Sequence, residues 1–192
     1  VGNATFAAIY IDEYYVGYPV SNVTVSNNLI NNSVGRSLIV AHTTGSLIEY
    51  NTIDNSTENG VHLNLVNDSI VRFNDIKNVG EYSGATNESS IYVLDSVNVT
   101  FNDNNITRND YGIFSLDSTN LSIFRNNMYN DSNIGIYVVD SGSLGGFVDI
   151  YENAINITNE GIYVSGSSYY NLTNNNISNI ANGIIFNQGD GI

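Results

Sequence analysis

Short runs of alternating apolar and polar residues recur along the chain about every 22 residues. In most repeats, two apolar residues separated by a polar one lie seven and five positions before a fixed apolar anchor, as Val99 and Phe101 lie before Ile106. A second apolar run begins seven or eight residues after the anchor, often behind a glycine. Alternation with a period of two is typical of a strand with one buried face, and no 3.6-residue period predicts a helix. The pattern therefore predicts short β-strands joined by bends.

An asparagine stands two residues before each anchor. These asparagines are Asn28, Asn51, Asn74, Asn104, Asn126, Asn153 and Asn175. The anchors are Ile30, Ile53, Ile76, Ile106, Met128, Ile155 and Ile177, separated by 23, 23, 30, 22, 27 and 22 residues. At equivalent bends of stacked repeats, such amides can hydrogen-bond to the repeats above and below. We therefore predict that these asparagines form a structural ladder.

One repeat of this length cannot bury its apolar side alone, whereas stacked repeats share a continuous interior. We therefore predict an all-β fold, a parallel β-helix solenoid with about eight coils of roughly 22 residues each. Residues 1–192 contain a single type of repeat. They form one domain, either complete or as a segment of a longer surface protein.

Three features of the chain carry a resemblance to a known family. They are the Asn-x-Ile bend, the period, and the Gly-Ile-Tyr-Val strand at residues 135–138 and 161–164. They resemble the right-handed parallel β-helix of the pectate-lyase-like superfamily, with most similarity to its NosD-like and its carbohydrate-binding and sugar-hydrolase type repeats. Such repeats are abundant in adhesin-like and envelope proteins of archaea, especially methanogens. The resemblance therefore implies an archaeal cell-surface protein.

Composition narrows the classes of partner. The chain has 19 acidic residues against 5 Lys and Arg, which gives a formal net charge of −14. Such a surface repels nucleic acid and anionic membranes. Cysteine is absent, and no apolar run reaches the length of a membrane span. We expect the partners to be copies of the chain, other envelope proteins, or glycans.

Sequons of the Asn-x-Ser/Thr type indicate the location of the protein. They begin at Asn3, Asn22, Asn31, Asn55, Asn67, Asn87, Asn98, Asn105, Asn120, Asn130, Asn156, Asn171 and Asn176. Chance predicts about six from this composition, so the motif is enriched roughly twofold, although alternation in the repeat contributes to the excess. We predict an extracellular glycoprotein with several occupied sequons. The alternative is that none is modified.

The middle residue of the second strand should point away from the core in every repeat. Along the stack these residues, here called the outer column, are Tyr10, Ile39, His62, Tyr92, Phe114, Tyr137, Tyr163 and Ile185. Adjacent rings should stand about 4.8 Å apart. Three interpretations are open: packing against another protein, stacking along the sheet, and sugar binding on ring faces. We predict that its aromatic members Tyr10, Tyr92, Phe114, Tyr137 and Tyr163 form a binding or assembly stripe.

An aspartate followed by serine recurs four residues after the start of the second strand, at Asp95, Asp117 and Asp140. Three stacked carboxylates could share a hard cation such as Ca²⁺. The preferred interpretation is a repeated Asp-Ser turn that hydrogen-bonds its own backbone, because flanking repeats add no acidic ligand to the column. We predict no cofactor, with Ca²⁺ as the weaker alternative.

An insertion at residues 12–19 is rich in tyrosine. Its tyrosines are Tyr14, Tyr15 and Tyr18. Solenoids commonly place recognition residues in such loops, so these three are candidate contacts. The segment can equally cover an end of the solenoid.

Catalytic interpretations of the chain are weak. Pectate-lyase-like and polygalacturonase-like proteins use clustered carboxylates, joined in the former by a Lys or Arg base or bound Ca²⁺. Here no two aspartates are adjacent, and the basic residues Arg36, Arg72, Lys77, Arg108 and Arg125 occupy different repeat positions. A copper role, as the NosD resemblance implies, would need more ligands than two histidines and one methionine. Because a general acid and base must reach one group, we predict no enzymatic activity.

The two ends of the sequence favour assembly. The chain begins almost directly on a predicted strand and stops part-way through a repeat. Uncovered solenoid ends expose strand edges and apolar core, which favours stacking on neighbours. We therefore predict an extracellular structural or adhesive module of a cell envelope that assembles into a filament, sheath or lattice. The alternative is a carbohydrate-binding or polysaccharide-active β-helix domain.

Overall fold

The alternating runs form three parallel β-sheets. The computed structural model describes residues 6–13, 20–80, 88–131, 133–139, 146–157, 159–166 and 169–187. The eight-stranded sheet contains, in spatial order, β1 (Ala7–Ile11), β5 (Arg36–Ala41), β9 (Val61–Asn64), β12 (Ser89–Leu94), β15 (Tyr111–Leu116), β18 (Ile134–Val139), β21 (Glu160–Ser165) and β24 (Asn182–Asn187). The nine-stranded sheet contains β2 (Val20–Ser21), β3 (Thr24–Ser26), β6 (Thr43–Thr44), β7 (Leu47–Glu49), β10 (Asn67–Arg72), β13 (Val97–Asn102), β16 (Leu121–Phe124), β19 (Val148–Tyr151) and β22 (Tyr170–Thr173). The seven-stranded sheet contains β4 (Leu29–Ser33), β8 (Thr52–Ser56), β11 (Asp75–Val79), β14 (Asn105–Thr107), β17 (Asn127–Tyr129), β20 (Ala154–Asn156) and β23 (Asn176–Ser178).

The chain visits the three sheets in turn, and in the first two coils the part in the nine-stranded sheet is divided into two short strands, β2 and β3 and then β6 and β7. Every strand pairs in parallel with the equivalent strand one coil away, as β13 does with β10 and β16. The predicted all-β parallel solenoid is confirmed, with about seven turns of about 23 residues rather than eight of 22. The average turn is longer than the basic repeat because some coils carry insertions. Among the described residues there is no helix, and hence none able to span a membrane.

The interior is a continuous apolar column enclosed by the sheets. Val99 and Phe101 of β13 point inward and are fully buried, as the period-two pattern predicts. The anchor Ile106 is buried against the same core. Burying side chains of this size contributes about 1.5–3 kcal/mol each, which makes this column the main source of stability.

Left-handed backbone conformations make the bends. Twenty-one non-glycine residues of the described chain have φ between 48° and 61°. Fourteen of them are Asn or Asp, whose short polar side chains hydrogen-bond locally and tolerate this conformation. At the bend that precedes the ladder asparagines, these residues are Asn27, Tyr50, Phe73, Asp103, Arg125, Glu152 and Asn174. The left-handed conformation at these bends therefore helps to explain the high asparagine content.

The ladder asparagines line the inner side of the bend between the nine- and seven-stranded sheets. Nδ2 of Asn104 donates to Oδ1 of Asn126 at 2.9 Å and to the carbonyl oxygen of Val71 at 3.0 Å. Oδ1 of Asn104 accepts from the backbone N–H and from Nδ2 of Asn74, at 3.1 and 3.0 Å. Since Asn104 is buried, these partners would have no access to water without it. The ladder thus satisfies the polar groups of the bend from within.

We predict that Asn104→Ala lowers the free energy of unfolding by about 3 kcal/mol, because it leaves buried polar groups of Val71 and Asn74 unpaired. The matched control is Asn127→Ala. Nδ2 of Asn127 donates to Oδ1 of Asn105 at 2.9 Å on the exposed surface, where water can replace it. Its loss should stay below about 1 kcal/mol. Urea denaturation measures both, and equal losses would contradict a special role for the buried ladder.

A second buried bend contains a carboxyl group. Oδ1 of Asp131 accepts from the backbone N–H and from Nδ2 of Asn109, both at 3.1 Å. Oδ1 of Asn109 in turn accepts from the backbone N–H of Val79 at 2.9 Å. Burial raises the pKa of Asp131 to about 7. The carboxyl group is therefore protonated in the folded protein under mildly acidic conditions.

Asp131 should make stability depend on pH. An unfolded aspartate has a pKa of about 3.9, so between about pH 4 and 7 only the unfolded state releases this proton and folding weakens as pH rises. Relative to the wild type, Asp131→Asn should gain up to about 4 kcal/mol between pH 4 and 8. Urea denaturation across this range measures the gain.

Asp103→Asn provides a control of opposite sign. The hydrogen bond from Arg125 lowers the pKa of Asp103, so this carboxylate stabilises the fold above about pH 4 and loses its effect as pH falls. Relative to the wild type, this variant should lose stability as pH rises. A parallel pH response of the two variants would refute the assignment to Asp131.

Candidate functional site

The outer column lies in register on the outer face of the eight-stranded sheet. Phe114 pairs with Tyr92 in β12 and with Tyr137 in β18, and Tyr137 pairs with Tyr163 in β21. The ring centroids of successive residues from Tyr92 to Tyr163 are 5.3, 4.7 and 4.9 Å apart. The rings therefore cover one another along the stack.

This stacking buries the rings in the middle of the outer column. Tyr92 and Phe114 point outward as predicted, but neighbouring rings cover them and leave them only 9% and 4% exposed. Phe114 is enclosed by the neighbouring rings and by Tyr111, whose centroid is 5.8 Å away. Tyr137 and Tyr163 are half-buried, and Tyr10 is exposed. Stacking along the sheet, at about 0.2–1 kcal/mol per pair, accounts for the middle of the column.

His62 belongs to the same buried part of the column. Its ring centroid lies 5.0 Å from that of Tyr92. Burial, with a smaller contribution from Arg36, lowers the pKa of His62 to about 4. The imidazole is therefore neutral at pH 7 and packs as one more flat ring.

The Asp-Ser repeats form bends at the end of the eight-stranded sheet. Asp95 and Asp117 have left-handed φ values of 48° and 49°. The backbone N–H of Ser96 donates to Oγ of Ser118 at 3.1 Å, which links two coils. Asp140 lies outside the described residues. Oγ of Ser96 donates to the carbonyl oxygen of Leu94 at 2.7 Å, and Oγ of Ser118 donates to that of Leu116 at 3.0 Å, so each serine bonds its own turn. In the described part of the chain, no three His, Asp or Glu side chains lie close enough to hold a metal ion.

The described sequons fall into two structural groups. Those with a left-handed backbone are Asn22, Asn55 in β8, Asn98 in β13, Asn120 and Asn130. The others, all on strands, are Asn31, Asn67, Asn105, Asn156, Asn171 and Asn176. The conformation of the bends gives a second reason for the excess of sequons. Asn3 and Asn87, together with the loop residues Tyr14, Tyr15 and Tyr18, lie outside the described residues.

A polar cluster joins the first two coils. The hydroxyl of Tyr10 donates to Oδ2 of Asp12 at 2.5 Å, and Nδ1 of His42 lies 2.7 Å from Oδ1 of Asp12. Burial acts to raise the pKa of Asp12, but the hydrogen bonds from Tyr10 and His42 outweigh it and hold that pKa below its usual value. Sequence reasoning missed this cluster because Asp12 and His42 are 30 residues apart.

An open cleft lies on the outer face of the nine-stranded sheet. It has a volume of about 370 Å³ and is lined by Asn98, Thr100, Asn120, Leu121, Ser122, Phe147 and Asp149. Thr100, Ser122 and Asp149 pair in register across β13, β16 and β19. They alternate with buried residues along each strand and so point outward into the cleft.

Two exposed aromatic rings lie against each other here, and one of them, Phe147, lines the cleft. Phe147 is 62% exposed and Tyr169 is 53% exposed, and their ring centroids are 5.5 Å apart at an angle of 43°. They directly precede β19 and β22, whose pairing of Val148 with Tyr170 sets them side by side. Unlike the rings of the outer column, they leave apolar surface open to solvent.

Amide groups at the cleft are held in fixed orientations. Nδ2 of Asn98 donates to Oδ1 of Asp68 at 2.9 Å, and Nδ2 of Asn120 donates to Oδ1 of Asn98 at 3.0 Å. The backbone N–H of Phe147 donates to Oδ1 of Asn120 at 3.2 Å. Each amide has a second N–H, so both side chains can still donate to a ligand. The cleft therefore combines open ring faces with oriented donors and acceptors.

Sequence reasoning did not single out this cleft. Its one local signal is an aromatic residue directly before the first inward residue of a strand, as Phe147 stands before Val148 and Tyr169 before Tyr170. The amide and hydroxyl members look like ordinary outward positions of the repeat. Only the stacking of coils brings them beside the rings.

Comparison with solved structures finds distant similarities. The A-module of mannuronan C-5 epimerase AlgE4 from Azotobacter vinelandii is 11% identical, with a TM-score of 0.44 over 88% of this chain and 57% of that one. A variant of DFA-IIIase from Arthrobacter chlorophenolicus A6, in complex with DFA-III, is 9% identical, with a TM-score of 0.42 over 84% of this chain and 48% of that one. The chain thus spans about half the length of these proteins. No curated protein matches it.

A family model settles the classification. The model described as the right handed beta helix region matches residues 1–113 and 38–192, which together span the sequence. This agrees with the parallel three-sheet solenoid and its asparagine ladder. The chain therefore belongs to the right-handed β-helix family.

Proposed function

We propose that the protein is a non-catalytic carbohydrate-binding β-helix whose binding site is the cleft beside Phe147. The observation that carries this proposal is the pair of exposed rings, Phe147 and Tyr169, next to oriented amide and hydroxyl groups. Sugar rings present apolar C–H faces and hydroxyl edges, which match aromatic surface and fixed hydrogen-bonding groups. The cleft volume of about 370 Å³ also lies within the range of small-ligand sites.

The composition of the cleft favours binding without catalysis. Among the described residues that line it, Asp149 alone carries an acidic or basic side chain. Hydrolysis of a glycosidic bond usually requires two carboxyl groups about 5–9 Å apart on either side of the bond. A single carboxylate on a flat sheet supplies a hydrogen-bond acceptor, and it leaves the acid-base pair incomplete.

The open ring faces favour the cleft over the outer column. In the column, the rings of Phe114 and Tyr137 stack on each other at 4.7 Å, so these faces are already occupied. Phe147 and Tyr169 meet at an angle and each exposes more than half of its surface. A sugar can therefore pack on them without displacing a side chain.

Phe147→Ala should weaken binding of a β-1,4-linked oligosaccharide about tenfold, because the ligand loses the apolar surface on which it packs. Isothermal titration calorimetry of each variant, with ligands chosen from a glycan array, measures the change in Kd. Tyr169→Ala should act in the same direction.

Tyr129→Ala is the matched control for both variants. Tyr129 is 55% exposed but lies in β17 of the seven-stranded sheet, away from the cleft. Its replacement should leave the Kd unchanged. Absence of glycan binding by the wild type, or equal Kd values for Phe147→Ala and wild type, would overturn the proposed function.

A structural or adhesive module of the cell surface is the second candidate function. It is favoured by a second pair of exposed rings, Tyr50 and Phe73, which stack with centroids 5.1 Å apart. Paired exposed rings form an apolar contact patch that a further copy of the chain can cover. This proposal includes an extracellular, glycosylated protein that assembles with itself.

Self-association can be measured by sedimentation velocity over a wide concentration range. Under the second proposal the sedimentation coefficient rises with concentration, and Phe73→Ala reduces the rise because it removes half of the ring pair. Intact mass of protein isolated from its natural source reports sequon occupancy. A constant sedimentation coefficient would refute assembly, and an unmodified mass would refute glycosylation.

A further inference from the structure

Asp149 places a negative charge in the cleft. Its side chain is half-buried in the centre of β19, where it points outward beside Ser122 of β16. Among the described residues that line the cleft, it is the one with a formal charge, and the carboxylate of Asp68 adds a second negative charge beside Asn98. Negative charge at the cleft therefore influences which ligands it attracts.

Ion pairs hold many of the carboxylates in the described chain, but not Asp149. Ion pairs join Glu58 to Arg36, Asp12 to His42, Glu49 to Arg72, Asp54 and Asp75 to Lys77, and Asp103 to Arg125. In the described chain no basic group lies within ion-pair distance of Asp149. An ammonium group that reaches this carboxylate would form a charge-assisted hydrogen bond with it. A cationic ligand would supply the missing partner.

Arg125, the basic residue that directly follows β16, already forms an ion pair. Nε and Nη2 of Arg125 each donate to the carboxylate of Asp103 at 2.8 Å. The guanidinium group also lies over the ring of Phe124, 4.6 Å from its centroid. Such a bidentate and stacked arrangement holds the guanidinium in place. Arg125 is thus not available to bind the carboxylate of an acidic sugar in the cleft.

The net charge of the protein also favours cationic ligands over anionic ones. A formal charge of −14 attracts cations and repels anions over the whole surface. A uronic acid chain would meet both this field and Asp149, without a cationic group among the cleft residues to offset them. A ligand with ammonium groups gains from both.

We propose that the cleft binds oligosaccharides of amino sugars with free ammonium groups, which pair with Asp149 while a sugar face packs on Phe147. This inference rests on the proposed function and adds the class of sugar. Ser122 and Asn171 flank Asp149 in register, so a hydroxyl and an amide stand beside the carboxylate. They can hydrogen-bond the hydroxyl groups of the same sugar ring.

The test compares two ligands that differ at the amino group, which is a charged ammonium in one and an uncharged acetamide in the other. Calorimetric titration uses a β-1,4-linked glucosamine hexamer and its fully N-acetylated counterpart, at low and at physiological ionic strength. The free amine should bind about tenfold more tightly at low ionic strength, since a charge-assisted hydrogen bond replaces a neutral one. The preference should shrink with added salt, as the contact is partly exposed.

Asp149→Asn should abolish the preference while preserving the shape of the strand. Asp75→Asn is the matched control, because it removes the same charge from the seven-stranded sheet and keeps an acceptor for Nδ2 of Asn105. The control should retain the tenfold preference. Thermal unfolding followed by circular dichroism verifies that both variants fold.

The outcomes separate this inference from the proposed function. Equal binding of the two hexamers, or a preference that survives Asp149→Asn, overturns the amino-sugar inference and leaves carbohydrate binding intact. Tighter binding of an oligogalacturonate than of the glucosamine hexamer overturns it as well. Failure of every oligosaccharide to bind overturns both proposals.

Discussion

Hydrogen bonding between coils at the bends is the interaction on which the rest of the structure depends. A chain that turns sharply around an apolar core leaves backbone N–H and C=O groups pointing into that core, and each unpaired group would be costly. Buried amides such as Asn104 satisfy these groups from the coil above and the coil below. Left-handed residues just before them supply the change of direction. Without both elements the sheets could not meet at their edges.

The ladder also keeps the geometry of its bend constant although the coils differ in the number of residues. Successive rungs are 22 to 30 residues apart, yet the side-chain hydrogen bonds between them stay within 2.9 to 3.1 Å. Differences in coil length therefore leave the stack at this bend undisturbed. Phe147 lies in the 27-residue interval between the anchors Met128 and Ile155, and the fixed register of β19 sets its ring beside Tyr169. Surface residues can thus differ from coil to coil while the stack of coils stays regular.

Stacking of coils in register buries aromatic rings on one sheet and leaves them exposed on another. On the eight-stranded sheet, aromatic rings follow one another in adjacent coils, so Tyr92 and Phe114 bury each other and their neighbours. On the nine-stranded sheet, short polar residues lie between the coil of Phe147 and the next large side chain, which leaves an open cleft. A column of rings is therefore chiefly a packing device, whereas rings beside short polar residues offer open surface. This difference is the physical basis for assigning ligand binding to the cleft.

The sequence by itself determined the features that depend on local periodicity. Strand alternation, the positions of the ladder asparagines and the register of the outer column all follow from spacing within one repeat, because strand and bend geometry are local. Only the tertiary structure decided how far Phe114 is buried, how Tyr10, Asp12 and His42 meet, and that an open cleft lies beside Phe147. These properties depend on neighbours one coil away, some 22 to 30 residues distant in sequence, whose side chains set the packing, the desolvation and the charge around each group.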